Sequence, residues 1–201
     1  MYSQYKVDVP EGRIGKWRVE RFTVPEHDPL AIRYALSGRA VDPGTYTRLI
    51  CDGAWDPLMS DTASEIRDHF PAFAEIRGRG GRILINGLGL GVVLKAALAV
   101  PTVTHVDVVE INPDVISLVW PTYYTDPRAQ VHQADAYQIE WPKDARWNVA
   151  WHDIWPNLCT DNLPLMTKLH RKYARKVDWQ GSWGREWLRS QRRRDQRWGV
   201  D

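Results

Sequence analysis

At 201 residues the chain can bury roughly 70% of its unfolded surface, which makes one α/β domain with an accessory piece the economical organisation. Charged residues make up 26% and the formal net charge is +2, too mild a balance to mark the whole chain as a nucleic-acid or membrane binder. Cys51 and Cys159 stand in no metal or redox spacing, no apolar run approaches the ~18 residues of a membrane span, and the first residues lack the apolar core of a signal peptide; a cytoplasmic protein with free thiols is expected.

Taken in chain order, residues 15–25 alternate apolar and polar at Trp17, Val19, Phe22 and Val24, with a change of phase near Arg21, and read as a strand. Residues 30–36 and 45–50 read as two more, divided by the turn signal Val41-Asp42-Pro43-Gly44. They predict a small antiparallel sheet in an N-terminal β-rich region, 1–58. Asp52-Gly53 is a turn, and Ser60 or Asp61 can cap a helix running to Phe70, with Ser64 or Glu65 near its third position.

The stretch 82–110 organises the rest. Residues 82–86 are an apolar run short enough for a buried strand; Gly87, Gly89 and Gly91 alternate through a tight turn; residues 92–100 read as a helix stopped by Pro101. A second strand, 105–110, ends in Glu110. In such a βαβ unit glycines permit close approach of the backbone, the helix start offers free N–H groups, and a carboxylate roughly 20 residues on can grip a ribose diol. Such a site suits a nucleoside. Val92 stands where a dinucleotide fingerprint would have its third glycine.

The resulting G-x-G-x-G spacing resembles the S-adenosylmethionine loop of class I methyltransferases and their relatives, the spermidine synthases. The resemblance implies a Rossmann-like, mostly parallel sheet with helices on both faces over 59–201, behind the antiparallel region. It implies S-adenosylmethionine as cofactor, with contacts at Asn86, Gly87, Leu88, Gly89, Gly91, Glu110 and Ile111, and no metal. A β-meander joined by an Asp-Gly turn to a short acidic helix resembles the spermidine synthase arrangement, whose connecting motif reads roughly D-G-x-x-Q followed by an acidic pair and a tyrosine. Asp52, Gly53 and Asp61 match; Asp56 replaces the glutamine, Thr62 the second acid, and Glu65 stands near the tyrosine. Asp61 is thereby either a cofactor contact or a helix cap. Ile85, where many methyltransferases carry an acid, leans toward the spermidine synthase branch.

Ile111-Asn112-Pro113-Asp114 resembles the family's continuation, in which proline starts a helix carrying Val115, Ile116 and Val119 into the core, ended here by Pro121. Residues 128–134 are a third strand with Asp135 at its tip. In class I enzymes an acid here binds the adenine amino group and the next backbone N–H a ring nitrogen, which implies Asp135 and Ala136; a helix cap is the plainer role for Asp135. A fourth strand, 147–152, precedes Asp153-Ile154-Trp155-Pro156. In a doubly wound sheet Gly87, Glu110, Asp135 and Asp153 would share one crevice. Asp153 is the candidate for orienting the acceptor or taking its proton, His152 a candidate base or a packing residue, and Trp155 a stacking ring. Spermidine synthases carry a second Asp three residues after the first, where this chain has Pro156.

A helix at 161–173, a short strand at 176–179, a loop over Gln180-Gly181-Ser182-Trp183 closing the pocket, and a helix from about Trp183 complete the reading. Between Lys168 and Arg197 eleven basic residues face only Asp178, Glu186 and Asp195. With Trp183, Trp187 and Trp198 interleaved, this segment is either a solvated tail or an arm for nucleic acid. Three functions remain open: a methyltransferase on a small or nucleic acceptor, an aminopropyltransferase, and a noncatalytic adenosyl-ligand or nucleic-acid binder. Homo-oligomerisation fits any of them, and no membrane partner is expected.

Overall fold

The computed structural model describes residues 2–26, 41–53 and 58–198. The strand expected at 30–36 and the position of Asp56 lie outside the described residues.

Four strands, β1 (Gly12–Ile14), β2 (Trp17–Val24), β3 (Gly44–Cys51) and β4 (Met59–Ser60), form an antiparallel sheet in that order. β1 escapes the sequence reading because its three residues are all exposed and carry no alternation. It pairs with β2 through a turn at Gly15, whose φ of 55° is left-handed. The expected helix before Phe70 is in fact two. α1 (Ala63–Asp68) starts at Thr62, and α2 (Phe70–Arg79) restarts after His69, because Pro71 has no N–H to donate back into the preceding turn and suits only a first turn. Ser60 lies in β4, and neither Ser60 nor Asp61 is the cap.

The parallel sheet contains β5 (Gly81–Asn86), β6 (Val103–Glu110), β7 (Ala129–Gln133), β8 (Trp147–His152) and β9 (Val177–Ser182), in the order β7-β6-β5-β8-β9. The order reverses at β5, the switch point of a doubly wound sheet. β9 is longer than the four residues read from sequence. Gln180, Gly181 and Ser182 continue the strand beside β8, with Trp151 opposite Gly181 and His152 opposite Ser182, so they are not a loop. Gly181 gives the Trp151 and Trp179 rings room: a Cβ there would lie 2.8 and 2.5 Å from them. Only Trp183, beyond the strand, reaches the crevice expected for that loop.

Period-two alternation divides the core. Ile83, Ile85, Val106, Val108, Val149 and Trp151 face the layer of α2, α3 (Val92–Leu98) and α4 (Pro113–Val119), where the N-terminal Tyr5, Val7 and Val9 also pack. Leu84, Val109 and Ala150 face α5 (Asn162–Tyr173) and α6 (Arg185–Trp198) through Leu163, Met166, Leu169 and Leu188, and Trp147, at the first position of β8, joins this cluster against the alternation. The second face also buries charge. Asp107 accepts from Trp147 Nε1 at 2.7 Å and lies 2.9 and 3.1 Å from His132 and His105 Nε2. Burial works to raise its pKa, but the hydrogen bonds from His132, Trp147 and His105 prevail and hold it well below the carboxylate range. No helix among the described residues is long and apolar enough to cross a membrane.

Candidate functional site

The carboxyl ends of β5, β6, β7 and β8 open into a crevice of about 1220 Å³. Gly87 and Gly89 follow β5, Glu110 ends β6 and is followed by Ile111, Asp135 and Ala136 follow β7, and Asp153 and Trp155 follow β8; all line it. The antiparallel sheet covers the opening with Leu49, Met59 and Ser60, while α1 contributes Ser64 and Glu65, and His69 and Trp183 close one end.

The glycine loop is clamped by its neighbours. Gly87 has φ 99°, and a Cβ there would lie 2.1 Å from the Asp153 carbonyl oxygen; at Gly89 (φ 51°) it would lie 2.4 Å from Met59 Sδ. Gly91 (φ 78°) starts α3 against the Tyr123 ring, where a Cβ would sit at 2.4 Å. These glycines therefore let the loop fold tightly against its own protein, the tight turn read from the sequence, beside any ligand approach they permit. Glu110 finishes the clamp: Leu88 N donates to Oε2 and Asn112 N to Oε1, both at 2.9 Å. Each carboxylate oxygen keeps further acceptor capacity for a ligand hydroxyl.

Asp135 braces a turn rather than capping the helix expected there, accepting from Tyr137 N at 2.7 Å and Gln138 Nε2 at 3.1 Å, while still lining the crevice. Ile111 is 65% exposed, an apolar side chain held at the rim rather than in a core. Trp155 is nearly buried and forms wall.

Asp153 is the electrostatic centre. Burial, then the neighbouring Glu65 and Asp68 carboxylates, push its pKa up to about 7. His69 Nε2 lies 4.0 Å from Asp153 Oδ2, and burial lowers the pKa of that imidazole to about 4. Glu65 accepts from Ser60 N at 2.5 Å, and Asp68 from Trp183 Nε1 at 3.2 Å, so both acids are anchored beside the crevice. A carboxyl that titrates near neutrality in a cleft is suited to proton transfer.

Several expected site residues lie elsewhere. His152 is fully buried, Nδ1 2.7 Å from Asn86 Nδ2 and Nε2 3.1 Å from Gln180 Oε1, packed on His170 and Tyr173. Neither His152 nor Asn86 lines the crevice: residues 86 and 152 both face the α5 side of the sheet, and only the backbone of Asn86 meets the site, accepting from Asp153 N at 2.8 Å. Asp61 is 1% exposed and turned away, accepting from Thr47 N at 2.7 Å and Val7 N at 3.1 Å. It braces the N-terminal segment and is neither a helix cap nor a crevice residue. Leu88 and Gly91 shape the loop without lining the crevice. His69 was missed by sequence reasoning, since a lone histidine between two helices carries no motif.

No protein-family model matches the chain, and no curated protein matches it. Solved structures do. A spermidine synthase from Thermotoga maritima aligns at TM-score 0.50 and 15% identity, covering 84% of this chain and 52% of that one. The CcbJ methyltransferase from Streptomyces caelestis gives 0.42 and 17%, over 56% and 43% of the two chains. An S-adenosylmethionine-dependent methyltransferase from Mesorhizobium loti gives 0.39 and 18%, over 51% and 47%. The chain spans about half the length of these structures or less. Its fold is Rossmann-like α/β, a five-stranded parallel sheet with helices on both faces, with an antiparallel sheet ahead of it.

Proposed function

We propose that the crevice binds S-adenosylmethionine and that the chain transfers the methyl group to an acceptor held against Asp153. The observation that carries this reading is the convergence of Gly87, Glu110, Asp135 and Asp153, from four successive strand ends, on one crevice. The donor set fits an adenosyl ligand. Glu110 retains acceptor capacity for two ribose hydroxyls, Asp135 and Ala136 offer a carboxylate and a backbone N–H to an adenine edge, and Ile111 supplies an apolar surface for its face.

When bound, the cofactor supplies a methyl group already activated on a sulfonium. The protein's work is then placement, exclusion of water and removal of a proton. Met59 and the antiparallel sheet close the crevice, and Trp155 limits where an acceptor can lie. Asp153, with a pKa near 7, is half ionised at neutral pH and then accepts a proton from a nitrogen acceptor, a capacity lost at lower pH as the carboxyl protonates. His69, neutral across the physiological range, leaves that carboxylate uncompensated.

Aminopropyl transfer is the second reading, favoured by one observation. The second acid absent at Pro156 has a counterpart in Glu65, which lines the same crevice from α1. Calorimetric titration with S-adenosylmethionine, S-adenosylhomocysteine, decarboxylated S-adenosylmethionine and NAD separates the readings. Binding of the first two supports methyl transfer, and preference for the decarboxylated form supports aminopropyl transfer. Binding of NAD alone, or of none of them, refutes both.

A further inference from the structure

A second concavity of about 620 Å³ lies between α5 and α6. α5 contributes Thr167 and Arg171 to it; α6 contributes Arg185, Arg189, Arg192 and Arg193. The α6 arginines follow helical spacing, at i, i+4, i+7 and i+8, so they form one continuous face about two turns long. We propose that this groove binds the phosphate backbone of a single nucleic-acid strand and leads one of its bases toward the neighbouring crevice.

Charge is the first support. Glu186 is the one carboxylate in ion-pair distance of the groove arginines among the described residues, at 3.3 Å from both Arg185 and Arg189. Five guanidinium groups thus share a single acid. Arg185 is mostly buried beneath the others, and its Nε is a buried donor without a hydrogen-bond partner. Burial, then repulsion from Arg189, lowers its pKa. Folding brings together cations that repel one another and leaves a donor unmet; an anion in the groove relieves both costs. Guanidinium forks match phosphate oxygens in pairs.

Shape selects among anions. α6 presents no apolar stripe for a lipid surface on its arginine face, because Leu188 is turned into the core and 1% exposed. A concave strip of arginines suits a strand rather than a flat bilayer. The groove also adjoins the crevice along the chain: Trp183 lines the crevice, Gly184 packs against Leu158 of the same crevice, and Arg185 opens the groove. A strand held by its backbone can therefore extend an unstacked base toward Asp153. That last step rests on the proposed methyl transfer; the groove itself does not.

The test is fluorescence anisotropy with a short, labelled single-stranded RNA of mixed sequence, titrated with salt, on the full chain. Wild type should bind with affinity falling steeply as salt rises. Arg189→Gln combined with Arg193→Gln, both on exposed positions, should weaken binding about tenfold or more and reduce the salt slope by about two, one per lost phosphate contact. Arg146→Gln with Arg175→Gln, exposed and outside the groove, should leave binding unchanged. Equal loss in both double variants, no binding by wild type, or displacement of the RNA by phosphatidylserine vesicles or polyglutamate at matched charge overturns the proposal. Glu110→Ala separates it from the cofactor reading: RNA binding should survive that change, whatever happens to adenosyl ligands.

Discussion

His69 Nε2 stands 4.0 Å from Asp153 Oδ2, outside hydrogen-bond range but inside strong electrostatic range, with the imidazole buried and the carboxylate at the crevice. Burial drives both groups toward their neutral forms, Asp153 upward to about 7 and His69 downward to about 4. Near pH 7 the imidazole is neutral and the carboxyl half ionised.

This fixes the pH dependence of any reaction in which Asp153 accepts a proton. The rate should rise about tenfold per pH unit below about pH 7 and level above it, as the carboxylate forms. Asp153→Asn should lower turnover by about a hundredfold or more while leaving adenosyl-ligand affinity within a few-fold. A flat profile across that range, or an active Asn variant, would remove the carboxylate from proton transfer.

The same residue should cost stability at neutral pH. Its folded pKa lies above the unfolded value, so the native state is favoured below about pH 4 and loses that advantage as pH rises through about 7. Asp153→Asn is expected to stabilise the chain by roughly 2–4 kcal/mol above pH 7 and by little near pH 4. Urea unfolding at the two pH values measures the difference.

Buried histidines act with the opposite sign. Burial lowers His152 to about 3 and His69 to about 4; burial, then Arg185, lowers His170 to about 4. Their contribution is complete above about pH 6.5 and is lost as pH falls toward 4. Three such groups outweigh the single aspartate, so the denaturation midpoint should fall from pH 7 to pH 5. His152→Gln, which keeps polar capacity toward Asn86 and Gln180, should flatten that fall.

Glu110 holds the loop and faces the crevice, so its removal should be felt twice. Glu110→Ala is expected to abolish calorimetrically detectable adenosyl-ligand binding and to cost about 1–3 kcal/mol of stability, because Leu88 N and Asn112 N lose their acceptor. Binding as tight as wild type would place the ligand elsewhere.

Asp107 carries a purely structural prediction. Asp107→Ala leaves the buried Trp147 Nε1 without its acceptor and removes the group shared by His105 and His132, and should cost about 3–5 kcal/mol by denaturant titration. Ligand binding by folded protein should be unaffected, since Asp107 does not line the crevice.

The sequence by itself determined the βαβ unit, the strands that enter the parallel sheet and the strand-end positions of Gly87, Glu110, Asp135 and Asp153. Those features are local: a two-residue alternation, glycines in a turn, and a carboxylate at the last residue of a strand each follow from spacing along one stretch of chain. What only the tertiary structure decided is which groups share a volume. Asp61 reads as a helix cap but braces Val7 and Thr47, because β3 and the N-terminal segment supply its donors from 14 and 54 residues away. His152 neighbours Asp153 in sequence yet faces the opposite side of the sheet, since successive residues of a strand alternate. Glu65, Asp68 and His69 reach Asp153 only because α1 and α2 fold over the end of β8, a distance no local pattern encodes. The arginines of α6 likewise became a groove when Leu188 anchored that helix against α5. Spacing sets which side a residue faces; long-range packing sets what it meets there.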